Sequence, residues 1–462
     1  MGKVIMNSFK KSLDAVFEHF GRLPAGMSFR KYTVSSLGSR LINGVGWSLF
    51  GSVVSKGLAF LSAIFVARLL LPESYGQLGL LRATVMLFVE LCDGCFGDGA
   101  AKFIAEHLVV DKGRVGRIIC LNYTFAVIIG TICAFTFFIA SPVLSEKYFC
   151  NKDLIHSVQA AAFLLLILLI NSVQKGVLTG FQDFRGLNCS GMVAAVISCP
   201  SMIVGVWQAG VMGAIVGLAV AALLSLAINS VYIYHNMKRH EIRYSFRNVS
   251  LDFLQILKTN SALFLQGLLM AISMWYAKVM LIETGEDGFK QLGIFIAMMQ
   301  CYTIVCFFPN QLAKIIVPIA STVLAEKNHR KFRKLVAVVS IAVLGVGLAV
   351  ALPMAIFSKP FASLFGSGYE SGANYLGTMA FAAILSALYV TFSLFIISMG
   401  KSVILLPIAL AGAITLTGTS RFLFLHDYGA NGLVIALCLS WGIQSVLSGC
   451  YVFFMITSRN RE

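Results

Sequence analysis

Charge is scarce in this chain, and acidic charge scarcest. Asp and Glu number 20 among 462 residues, against 36 Lys and Arg, and charged residues make up 12% of the whole. A soluble domain carries roughly 25%. With 58% hydrophobic residues beside that shortage, no water-soluble core could hide the apolar surface, so lipid must be the solvent. Histidine is also sparse, at 7 residues, and the one C-x-x-C, Cys92 and Cys95, has no second pair or histidine cluster near it. That excludes an evident metal centre. The eleven cysteines are odd in number and fall mostly inside apolar runs, as small buried hydrophobes. Walker A, H-E-x-x-H and G-x-S-x-G patterns are all missing, which removes the common nucleotide-driven and hydrolytic chemistries. The first forty residues lack the apolar core of a cleavable signal peptide.

What the chain does have is about twelve apolar stretches of the roughly 20 residues that a helix needs to cross a bilayer. They are expected near 45–70, 77–97, 118–140, 158–180, 188–208, 211–234, 260–282, 294–320, 334–357, 373–397, 401–423 and 430–456. With both termini placed in the cytoplasm, the inside segments hold about twenty-five Lys and Arg and the outside loops about four (Lys147, Lys152, Lys290, Lys359), as the positive-inside rule requires. The net charge of +16 then belongs to loops facing anionic headgroups and not to nucleic acid. The outer loops are short, which argues against an enzyme of the outer face.

Two cytoplasmic segments, Ala101 to Arg117 and Pro318 to Lys334, each run from a span into a polar stretch ending in a basic cluster, and each follows the second span of a six-span half. The expected organisation is a basic amphipathic tail (1–40), an amino-terminal six-helix lobe (41–235), a basic amphipathic linker (236–259), a carboxy-terminal six-helix lobe (260–457) and a short tail (458–462). Parallel repeats of this kind place a substrate site at their interface. In the tail, Ile5, Phe9, Leu13, Val16, Phe17 and Phe20 recur at helical spacing, consistent with an interfacial helix; an unstructured tail fits equally.

Ionisable residues inside spans cost roughly 2.5–3.5 kcal/mol each on insertion scales and mark functional sites by default. Here they include Lys56, Arg68, Arg82, Glu90, Asp93, Lys175, Lys278, Lys314 and Arg421. Arg68, Lys278 and Arg421 lie near span ends, where snorkelling anchors are common. Glu90 and Asp93 share a helix face with Arg82 nearby, so they serve either as an ion pair locking two spans or as a proton or sodium relay. If Lys56, Arg82, Lys175, Lys278 and Lys314 converge between the lobes, the cleft is cationic and suits an anionic substrate such as a pyrophosphate. Pro200, Pro309 and Pro318 interrupt spans, either as gating kinks or as ordinary membrane-helix prolines.

At the end of the first span stands Phe65-Val66-Ala67-Arg68-Leu69-Leu70-Leu71-Pro72-Glu73-Ser74-Tyr75-Gly76-Gln77-Leu78-Gly79. This resembles the A-R-x-L-x-P-x-x-[FY]-G signature of the polysaccharide transporter family, within the multidrug/oligosaccharidyl-lipid/polysaccharide exporter superfamily. Trp47, Ser48 and the segment from Gly99 to Glu106 fit the same pattern, so the resemblance is strong over about 44–117. It implies an all-α integral membrane protein of twelve spans in two MATE-like six-helix bundles, with no catalytic or metal site and no cofactor. It also implies alternating access for an undecaprenyl-pyrophosphate-linked oligosaccharide in a bacterial inner membrane, for O-antigen, capsule or exopolysaccharide synthesis. Expected partners are that anionic lipid-linked oligosaccharide, membrane lipids and the polysaccharide polymerase machinery. Arg68, Pro72 and Gly76 carry over as a structural turn. Two other readings stay open: a cation-coupled multidrug exporter, which needs an acidic cleft, and a polytopic glycan polymerase or ligase, which needs a large outer loop.

Overall fold

The computed structural model describes residues 36–108, 110–149, 151–244, 249–283, 287–325 and 329–458. Side chains within 36–50, 91–100, 249–263, 308–310, 312–315 and 317–319, and those of 325 and 329, lie outside the described set. The readings on the amino-terminal tail, on Cys92 and Cys95, and on the side chains of Asp93, Pro309, Lys314 and Pro318 therefore fall outside the described residues.

Ten long helices make up the described fold. They are α1 (Ser36–His107), α2 (Lys112–Ile139), α3 (Ile155–Gly180), α4 (Phe184–Arg239), α5 (Val249–Glu283), α6 (Gly288–Ala325), α7 (His329–Ile356), α8 (Ala373–Ser398), α9 (Leu405–Phe424) and α10 (Gly429–Ser458). Among the described residues, ten helical segments are long and apolar enough to cross a membrane. Two of these are broken in the middle. In α1, Leu71 leaves helical geometry (φ 60°, ψ 168°) immediately before Pro72. Proline bars the preceding residue from the helical region and supplies no backbone donor. In α4 the break falls at Ala209 and Gly210 (φ 55°), where glycine accepts a left-handed backbone at little cost. Counting each broken segment twice allows twelve crossings, and both breaks fall in gaps between expected spans.

The break in α4 folds it into a hairpin. A Cβ on Gly205 would collide with the Gly213 carbonyl, and the reverse holds for Gly213, so the two arms cross backbone to backbone. At the other end of the hairpin, Asp183 caps the helix by accepting from the Gly186 amide at 2.9 Å and also accepts from Asn236 Nδ2 at 2.7 Å. One carboxylate thus satisfies an orphan amide and ties the last turn of α4 to its first.

The order of elements repeats along the chain. α2 has 28 residues, followed by a short helix Ser141–Lys147, a three-residue 3₁₀ turn and the 26 residues of α3. α7 has 28 residues, followed by a short helix Ser358–Ser363, a three-residue 3₁₀ turn and the 26 residues of α8. The Gly210 break has its counterpart between α9 and α10, where Asp427 and Gly429 hold φ of 60° and 48°. Within the first repeat α1, α3 and α4 pack together with α2 against α3; within the second, α8 packs on α6, α7 and α10, and α9 on α5 and α10. α1 also packs against α5 and α6, which brings the two parts of the chain together.

Candidate functional site

A cavity of about 650 Å³ lies between the two repeats. Its walls come from both arms of α1 and from α4 on one side, and from α5 and α6 on the other. Lys56, Arg82 and Lys278 all line it, and among the described residues its lining contains no Asp or Glu. Lys56 and Arg82 are exposed to the cavity and Lys278 is half-buried. Lys278 lies close enough to Arg82 to feel its charge. Among the described residues no salt bridge engages any of the three. The rest of the wall is largely apolar, with Phe60, Met202, Phe295, Met299 and Phe307, relieved by Ser62, Tyr75, Gln300 and Thr303. Like charges held together in a low-dielectric chamber raise its potential and concentrate anions there.

α1 supplies two of the cations because its Leu71 break turns the second arm back alongside the first. On that second arm Tyr75, Leu78, Gly79, Arg82 and Met86 recur at three and four residues and face the cavity, as one stripe of a helix does. Glu90 continues the Arg82–Met86 spacing, is exposed, and lies 3.8 Å from the position a Cβ would take on Gly267 of α5. Lys175 stands exposed on α3 and is not among the lining residues. Its neighbour Gln174 turns toward α4, where Nε2 donates to Ser230 Oγ at 2.8 Å, so the Lys175 face points elsewhere. Lys314 lies on α6, its side chain beyond the described set, and Asp93 likewise on α1.

Beyond the Tyr75 end, the cavity is closed by contacts that cross between the repeats. Arg68 Nε donates to the Leu364 carbonyl at 2.8 Å, and the Tyr369 hydroxyl donates to the Ala67 carbonyl at 3.1 Å. Phe60 meets Phe365 edge-on at 6.1 Å, and Tyr75 meets Tyr369 at 6.3 Å and 78°. Gly366 and Gly368 hold φ of +107° and +90°, which lets the loop fold over Arg68 and Pro72. Just past Pro72, a Cβ on Gly76 would strike the Phe289 carbonyl and one on Gly293 would strike the Pro72 carbonyl. Arg68, Pro72 and Gly76 therefore sit at a close contact between the two repeats, and the break itself falls at Leu71 and Pro72. Farther along, Trp275 Nε1 donates to Thr84 Oγ1 at 2.9 Å, another bond across the interface.

Tyr75 and Gln300 are lining residues that charge-based reading of the sequence passes over. Tyr75 stands in the quoted motif, but nothing in its spacing separates a cavity residue from a turn residue. Among the described residues no group of His, Cys, Asp and Glu could hold a metal ion.

Comparison with known proteins agrees with this architecture. A Shigella flexneri protein provisionally named an O-antigen transporter is 22% identical over 432 residues, covering 89% of this chain and 96% of that one. Among solved structures, the inward-facing form of a multidrug resistance MATE family transporter of the MOP superfamily superposes with a TM-score of 0.76 at 17% identity, covering 89% of this chain and 96% of that one. The outward-facing form of such a transporter gives 0.70 at 16% identity, covering 91% and 96%. A MOP superfamily transporter from Pyrococcus furiosus, described by the reversed polarity of its binding pocket, gives 0.70 at 18% identity, covering 91% and 97%. These likenesses establish an all-helical membrane protein with the MATE-like fold. The model of a family described as polysaccharide biosynthesis protein matches residues 65–371, a stretch that holds Arg68, Tyr75, Arg82, Lys278 and Tyr369, and this chain belongs to that family.

Proposed function

We propose that this protein is a flippase that moves an undecaprenyl-pyrophosphate-linked oligosaccharide repeat unit across the bacterial inner membrane by alternating access. The observation that carries this reading is the cavity between the repeats, with Lys56, Arg82 and Lys278 in its wall and no carboxylate among the described lining residues. A pyrophosphate diester is the complementary charge, and charge-assisted hydrogen bonds strengthen away from water. The polyprenyl tail stays in lipid beside the cleft. At about 650 Å³ the chamber falls in the ~300–1,000 Å³ range of small-molecule sites, enough for the headgroup and the adjoining sugar.

In this reading the chain forms two six-helix lobes, 41–235 and 260–457, joined by the linker 236–259, with twelve crossings and both termini in the cytoplasm. The repeated element lengths and the positive-inside count support it. The better superposition on an inward-facing transporter supports a cavity open toward the cytoplasm, with the Arg68–Leu364 contacts closing the periplasmic side. The relative's name, O-antigen transporter, supports the cargo class, and the polymerase machinery that uses the flipped unit is the natural partner. Any proton or sodium coupling falls to Glu90 and Asp93. A multidrug exporter for organic cations is disfavoured by three cations with no acid among the described residues of the wall.

The test is a deletion strain complemented with Lys56→Glu, Arg82→Glu or Lys278→Glu. Each reversal is expected to leave protein levels intact, to stop surface polysaccharide and to accumulate lipid-linked repeat units on the inner leaflet. Normal surface polysaccharide from all three would remove the cationic site.

A further inference from the structure

Tyr75 has one end in the cavity and the other against the closed side. It is 5% exposed. It lines the cavity together with Arg82 and Gln300. Its ring meets Tyr369 edge-on at 6.3 Å. Tyr369 is fully buried, and its hydroxyl holds the Ala67 carbonyl beside the Arg68–Leu364 bond. Tyr75 also follows the break at Leu71 and Pro72 by three residues, on the first turn of the second arm. A residue at φ 60° is costly for leucine, and such strain persists only where surrounding contacts hold it.

Arg82 and Tyr75 share the cavity wall about two turns apart on one helix stripe, and packed contacts continue from Tyr75 through Tyr369 to Ala67. An aromatic ring is rigid, with two side-chain torsions, so its hydroxyl end cannot move far without its edge moving. Packed side chains switch between discrete arrangements and do not deform smoothly. An anion arriving at Arg82 offers acceptor oxygens to the Tyr75 hydroxyl. Swinging toward those oxygens withdraws the ring edge from Tyr369, and the Tyr369–Ala67 bond loses its backing. The ligand then binds the open latch better than the closed one, the condition for any ligand to shift a conformational equilibrium.

We propose that Tyr75 relays occupancy of the cationic cavity to the latch made by Ala67, Arg68, Leu364 and Tyr369, so that the latch releases when an anionic headgroup is bound. This inference rests on the flippase reading and adds to it the element that prevents an empty carrier from opening outward.

The experiment uses the full-length protein in nanodiscs of neutral lipid, with undecaprenyl pyrophosphate as probe and undecaprenol as the uncharged control. Binding is measured separately from amide hydrogen exchange over residues 364–369. In the wild type the probe should raise exchange in that segment about tenfold, a typical coupling between sites, and undecaprenol should not. Tyr75→Phe, which keeps the ring, and Tyr75→Leu, which removes it, should still bind the probe, more weakly than wild type, and at saturating probe show no rise. Tyr369→Phe should exchange fast without probe, and adding Tyr75→Phe to it should change nothing further. If wild type binds the probe and Tyr75→Phe and Tyr75→Leu both respond as wild type does, the relay is wrong and the flippase reading stands. The relay is equally overturned if both Tyr75 variants abolish binding altogether, since Tyr75 would then be an anchor of the headgroup and not a relay, or if wild-type exchange ignores a bound probe. Failure of the wild type to bind the probe at all would bring down both.

Discussion

Arg68 and Leu364 are 296 residues apart in sequence and joined by a 2.8 Å bond from guanidinium Nε to carbonyl oxygen. The bond links the end of the first arm of α1 to the loop after the short helix Ser358–Ser363, so it exists only while the two repeats are closed on that side. Arg68→Ala should weaken the closed form by about 1–2 kcal/mol, the worth of a hydrogen bond to a charged group with part of its exposure discounted. Cysteine accessibility at position 367 in a cysteine-depleted background checks this: labelling should quicken in the variant. Arg68→Lys should fall between the two, because a lysine cannot hold the same planar geometry.

The glycines at the crossing predict a stability effect of opposite kind from other glycines. Gly76→Ala and Gly293→Ala each place a methyl group against a carbonyl of the other repeat. Overpacking of this sort costs about 1–3 kcal/mol, and backbone cannot move aside as a side chain can. Gly57→Ala and Gly345→Ala, where nothing lies within 4 Å of the new Cβ, serve as controls. Thermal unfolding in detergent should show a lower midpoint for the first pair and no loss for the second.

Trp275 and Thr84 predict a coupling energy. Trp275→Phe and Thr84→Val each remove one partner of the 2.9 Å bond. A double-mutant cycle on detergent stability should give about 0.5–1.5 kcal/mol of interaction. Additive effects would mean that the bond is absent in the populated state.

The cavity cations predict an affinity order. Arg82→Lys keeps the charge but loses the forked donor geometry, whereas Arg82→Gln loses the charge. Binding of undecaprenyl pyrophosphate should weaken modestly in the first and by about tenfold or more in the second, near 1.4 kcal/mol. Lys175→Gln, outside the lining, should bind as wild type does. Surface plasmon resonance on nanodisc-held protein would measure all three.

The packing of α4 yields a further check. Asn236→Ala removes the 2.7 Å bond to the Asp183 carboxylate while leaving that carboxylate its cap to Gly186. A loss of about 1 kcal/mol in stability is expected. Asp183→Ala removes both bonds and should cost about twice as much, as read by the same thermal unfolding.

Much of this protein was determined by its sequence alone. Apolar length fixes where helices cross lipid, because no backbone amide can stay unpaired there; nine of the twelve expected spans fall inside observed helices, and the other three overrun one end by one to four residues. The Pro72 and Gly210 breaks were equally readable, since each follows from a single residue's backbone chemistry. The motif around Arg68 pointed to the family. Tertiary structure alone decided which intramembrane charges meet. Lys56, Arg82 and Lys278 gather at one cavity and Lys175 does not, although the sequence set Lys278 apart as a span-end residue and not Lys175, because the outcome depends on the rotation of each helix about its axis. That rotation is set by small contacts between segments far apart in the chain, such as Gly76 on Phe289 and Gly205 on Gly213. The same holds for Tyr75: the chain places it three residues after a proline, and only packing puts it in the cavity wall with Gln300 and sets Tyr369 against its ring.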